Sequence, residues 1–216
     1  PMEDWISRTE LQRDWISLVF LFNFILLAVL RSKHPRQFKT FIRFIDPKLY
    51  FKVYGKDDSL IQSFTVLGTV FLLINLCLGV FYCLTFFEFG SSSFSFFSTL
   101  LIHIVGMILV RFVFLKTCCK LLEIEGFSEI FIFKTLSYQI QISILSFILF
   151  LFYEFSYPAQ EFLLLIIIVI AGLYLLSQLS LYREYWSLFK YNLLYLILYL
   201  CTFKLAPWIL LYSTLK

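Results

Sequence analysis

What most constrains this chain is a repeated pattern: long stretches without a charged residue, each closed by charge. The stretches run Trp15 to Leu30, Ser59 to Phe87, Phe89 to Val110, Thr135 to Tyr153, Phe162 to Tyr182 and Tyr191 to Leu215, the last interrupted only by Lys204. A bilayer's hydrocarbon core is about 30 Å thick and an α-helix rises about 1.5 Å per residue, so about 20 apolar residues cross it. Lipid offers backbone groups no hydrogen bonds, so such runs form helices rather than open strands. The first run has only 16 residues and needs its flanks to span. It is not expected to be a cleaved signal peptide, because Glu3, Asp4, Glu10 and Asp14 precede it and no small-residue cleavage site follows.

Composition agrees with this reading. Of 216 residues, 61% are apolar and 15% charged, whereas soluble domains average about 45–50% and about 25%. The expected fold is an all-α integral membrane bundle, a single transmembrane domain over residues 1–216. Six transmembrane helices are predicted over approximately 14–31, 59–87, 94–116, 135–153, 161–182 and 190–213, or five if the first lies in the interface.

Charge between the runs sets the orientation. The segment after the first run holds Arg31, Lys33, Arg36, Lys39, Arg43, Lys48, Lys52 and Lys56; that after the third holds Arg111, Lys116, Lys120 and Lys134; that after the fifth holds Arg183 and Lys190. The alternate connections, around Glu88 and from Glu154 to Glu161, hold no Lys or Arg. Positive charge stays on the cytoplasmic side, so the three basic loops are predicted there and both termini opposite. The net charge of +4 is nearly all loop charge, so no nucleic-acid partner is expected.

Within the first basic loop, residues 35–54 alternate apolar and basic side chains. Phe38, Phe41, Ile42, Ile45 and Leu49 fall at helical spacing, with Arg36, Lys39, Arg43 and Lys48 among them. This predicts a basic amphipathic segment lying on anionic lipid headgroups, the alternatives being a helix packed beneath the bundle or one that docks a partner. Residues 118–134 also mix apolar and acidic side chains, either extending the third helix or forming a second interfacial helix around Gly126.

Enzymatic signatures are absent. Five cysteines show no CxxC spacing, the two histidines form no HExxH, and no Walker loop, GxSxG elbow or dinucleotide fingerprint occurs. No Asp or Glu lies inside any of the six runs. Neither a metal nor a cofactor is expected, and the chain is predicted to be non-enzymatic.

Four polar residues fall near mid-depth: Asn23, Asn75, His103 and Lys204. Polar groups in lipid are costly and usually face protein or water, so these four are candidates for one hydrogen-bonded cluster, serving either as structural glue or as a transport path. Lys204 lies about 16 Å of helix from the outer end. Pro207 cannot donate to the carbonyl of Phe203, which frees an acceptor beside the lysine and predicts a helix break. The scarcity of Ala and Gly, the unequal loops and the missing membrane carboxylate argue against alternating access.

The chain resembles an uncharacterised family of polytopic inner-membrane proteins from Bacteroidota. The similarity rests on the Asp14, Trp15 opening, the Phe38 to Phe44 run, the stretch Tyr54, Gly55, Lys56, Asp57, and the closing Tyr199, Leu200, Cys201, Thr202 to Pro207 motif. The resemblance implies a bacterial inner membrane and no assigned activity. It also implies an acidic residue often standing where this chain has Lys204, a departure that speaks against an ion role shared at that position. Residues and resemblance together predict an accessory or scaffold subunit of a larger envelope or protein-export complex, partnered by the bilayer and other inner-membrane proteins. The alternative is a small solute or ion carrier or channel lined by the mid-membrane polar residues.

Overall fold

A computed structural model describes residues 14–42, 62–87, 93–121, 125–156 and 159–191. Six α-helices make up these residues, and no strand occurs among them: α1 (Asp14–Lys33), α2 (Pro35–Phe41), α3 (Ser63–Phe86), α4 (Phe94–Leu121), α5 (Glu125–Phe155) and α6 (Gln160–Tyr191). Four stretches are long and apolar enough to cross a membrane: α1, α3, Ile132–Phe155 of α5 and Gln160–Leu181 of α6. The apolar part of α4, Phe94–Val110, is shorter. The protein is therefore a multi-pass membrane protein whose apolar helices contact the bilayer.

The helices outrun the uncharged stretches. Helix α1 extends to Lys33, giving 20 residues, or about 30 Å, which matches the hydrocarbon core. Asp14 opens it and Arg31 and Lys33 sit in its last turn, each sign of charge at the helix end that favours it. The segment 118–134 divides between α4 and α5. Helix α6 continues through Arg183, where a loop was expected. No Gly or Pro stands between Gly172 and Tyr191, so nothing local stops the helix at the charge. The expected sixth span, 190–213, lies outside the described residues beyond Tyr191.

Helices α3 and α5 form the centre: 44% of the apolar window is buried in each, against 22% in α1 and α6. Helix α3 touches α1, α4, α5 and α6. Between helices in lipid there is little hydrophobic drive, so van der Waals packing and ring geometry carry the association. Phenylalanine supplies both. Phe81 and Trp15 meet edge to face at 5.3 Å, and Phe71 meets Phe147 at 5.7 Å, an arrangement that sets the positive ring edge against the negative face. A Cβ at Gly68 would stand 2.9 Å from Cδ1 of Ile140, so α3 and α5 pack closely here and a side chain at this position would make the Ile140 terminal methyl shift.

The bundle has two chemically distinct ends. Arg31, Lys33, Arg36, Lys39 and Arg183 mark one, and Asp14, Glu154 and Glu161 the other.

Candidate functional site

Three polar features stand out at mid-depth, at the basic end and at the acidic end. At mid-depth, Asn23 and Asn75 are buried at 0% and 2% exposure. Asn75 Nδ2 donates to the Phe71 carbonyl at 2.9 Å and to Oδ1 of Asn23 at 3.3 Å, and Asn23 Nδ2 donates to the Val19 carbonyl at 3.1 Å. One bond thus ties α1 to α3, while the others return to each helix's own backbone. Oδ1 of Asn75 has no partner among the described residues.

His103 stands apart from that pair. It lies on an exposed face of α4, its Nδ1 2.8 Å from the Thr99 carbonyl. Ile104, its neighbour in sequence, points into the core at 1% exposure. Successive helical residues are about 100° apart, which lets His103 face outward while Ile104 faces inward. Lys204 and Pro207 lie outside the described residues. The structure therefore brings together two of the four mid-depth residues and turns a third away.

At the basic end, α2 is clamped to the bundle. Phe38 and Phe41 are buried and pack with Phe64, Phe133 and Ile140. The amide of Gln141, on α5, donates to the Phe41 carbonyl at 2.8 Å, and the His34 ring nitrogen lies 2.7 Å from the Ser63 hydroxyl. The apolar face of residues 35–41 is thus taken up by protein rather than by lipid, because α3 and α5 present an aromatic surface that fits it. Arg36 and Lys39 remain exposed on the other face. Arg43 and Lys48 lie outside the described residues.

At the acidic end the Tyr82 hydroxyl donates to Oε2 of Glu154 at 2.9 Å, joining α3 to α5. Tyr82 also lines a cavity of about 140 Å³ between α1, α3, α5 and α6. Sequence reasoning missed this feature because the fourth uncharged run stops at Tyr153, which left Glu154 in a loop. The one available signal was the band of Tyr82, Phe86, Tyr153 and Glu154 at matching ends of neighbouring runs. No three His, Cys, Asp or Glu are placed to hold a metal among the described residues.

Fold and sites together define a multi-pass α-helical membrane protein with a bulky aromatic core and polar groups used between helices. The chain belongs to the family described as a domain of unknown function, DUF4271, whose model matches residues 16–215. Neither a curated protein nor a solved structure gives a significant match.

Proposed function

We propose that the chain is a non-enzymatic subunit of a bacterial inner membrane, docked laterally in a larger envelope or protein-export assembly with its basic end in the cytoplasm. The inner-membrane address draws on the resemblance to Bacteroidota proteins and on the charge of the loops.

One observation carries the docking reading: α4 leaves a stripe uncovered at bilayer depth. Ile102, His103, Gly106, Leu109, Val110 and Val113 recur at helical spacing and are not covered by the other described residues. His103 lies about 14 Å along the helix from Phe94, which is mid-core, and an imidazole facing lipid there is costly. A protein neighbour relieves that cost. A Cβ at Gly106 would meet nothing within 4 Å among the described residues, so a second helix has room to approach. The carrier reading draws less support, because Asn23 and Asn75 bond to each other and the cavity lies at the acidic end.

The test is purification of the tagged chain from its native membrane in mild detergent, comparing wild type with Gly106→Leu and His103→Leu. The expected result is stoichiometric recovery of the same membrane proteins with wild type, and their loss with Gly106→Leu, whose own thermal transition stays unchanged. Recovery of the chain alone, or recovery indifferent to both substitutions, overturns the proposal.

A further inference from the structure

The cavity at the acidic end is not explained by lateral docking, and its lining has a definite chemical character. Phe81, Tyr82, Phe86 and Tyr153 supply four aromatic rings, and Thr85 and Gln160 add polar groups. The rings are held in place by one another: Tyr82 meets Tyr153 edge to face at 5.4 Å and Phe81 at 5.9 Å. Behind Tyr82 stands the Glu154 carboxylate, 2.9 Å from its hydroxyl and half-buried. No Lys or Arg pairs with Glu154 among the described residues. The two connections at this end, 88–93 and 156–160, contain neither residue in the sequence. The negative charge is therefore held at the Tyr82 hydroxyl with no Lys or Arg beside it among the described residues.

Aromatic faces carry negative electrostatic potential and attract cations, organic ammonium groups above all, and the attraction strengthens as water is excluded. A carboxylate backing the rings adds a unit charge to the same field. The volume is suited to a small group: a cavity of about 150 Å³ holds a molecule the size of benzene. We infer that this cavity is a binding site for a small alkylammonium group, held over Phe81, Tyr82, Phe86 and Tyr153, with Glu154 as the counter-charge one hydrogen bond behind Tyr82. Two sources present that chemistry at a membrane boundary: an ethanolamine lipid headgroup and a free amine in solution. The inference is independent of lateral docking, since it concerns the opposite end of the bundle from α2 and a surface other than the α4 stripe.

The experiment uses the full chain in nanodiscs of phosphatidylglycerol, which has no ammonium headgroup, titrated calorimetrically with ethylammonium chloride against a sodium chloride control. Saturable binding is expected, weakened at least tenfold by Glu154→Gln and unchanged by Glu161→Gln. The amide oxygen introduced by Glu154→Gln still accepts from Tyr82, so this substitution isolates the charge. Phe86→Leu removes one ring without touching the carboxylate and is expected to weaken binding several-fold, which keeps the test decisive if Glu154→Gln misfolds. Repeating the titration with phosphatidylethanolamine in the disc separates the sources: competition identifies the lipid headgroup, and its absence identifies a free amine. No saturable binding by wild type, or binding by Glu154→Gln and Phe86→Leu equal to that of wild type, overturns the inference.

Discussion

An amide buried in hydrocarbon has to find its partners inside the bundle, and Asn75 finds them at the Phe71 carbonyl and at Asn23. Only the second bond joins two helices, and it is the longer, so the pair couples α1 to α3 modestly. Interhelical bonds of this kind average about 0.6 kcal/mol, because the separated helices satisfy their polar groups in other ways. A double-mutant cycle with Asn23→Leu and Asn75→Leu is expected to return a coupling near that value, read from unfolding in detergent. A coupling above about 2 kcal/mol would exceed the range seen for such bonds and would make the pair a main fastener of the bundle. The position of these residues midway along their helices was legible by counting along each run. Their direction around the helix was not. A helix that is apolar on every side shows no polar stripe to mark its outer face, and so His103 and Asn23, equal in depth, could not be separated before the packing was seen.

At the scale of the element, α2 shows how a single buried amide fixes a helix in place. The last carbonyls of a helix lack intrahelical donors, and Gln141 supplies one to Phe41 from across the bundle. Losing one such bond costs about 0.5–1.5 kcal/mol, borne here by a helix of 7 residues. Gln141→Leu is therefore expected to loosen α2 selectively. Hydrogen exchange should rise across residues 35–41 by roughly two- to tenfold, the rate equivalent of that energy, while the centre of α3 stays protected. Equal protection in wild type and variant would mean that Phe38 and Phe41 hold α2 unaided. The amphipathic spacing of this segment was readable in sequence, but spacing describes a face without saying what covers it. The discriminating sign is chemical: Gln37 is buried on that face beside Phe38 and Phe41 while Ile42 is 42% exposed. An amide turned inward and an isoleucine turned outward suit a protein surface rather than a lipid one.

For the molecule as a whole, helix length and charge lead to one geometry. Helices α4, α5 and α6 have 28, 31 and 32 residues, or about 42, 46 and 48 Å, against a hydrocarbon core of about 30 Å. The surplus falls at the basic end, since Lys116, Lys120, Glu125, Glu129, Arg183 and Lys190 all lie toward it along these helices. The bundle thus continues past the membrane as helix, within 118–134 where the sequence already suggested helix and past Tyr182 where it suggested a loop, because charge marks the edge of the lipid and only Gly, Pro or a cap marks the end of a helix. Every Lys and Arg that separates two uncharged runs lies on this side, and positive-inside retention is the ground on which the proposed function puts it in the cytoplasm. Alkaline phosphatase, active only outside the cytoplasm, reads this directly when inserted in frame. Insertion after Ser156 is expected to give strong activity, and insertion after Thr40 or Thr117 to give none. The reversed pattern would invert the molecule and put the Glu154 cavity in the cytoplasm. Activity at Thr40 with none at Thr117 would break the antiparallel order of α3 and α4, the two helices that lie between these positions and return the chain to the same side when both cross.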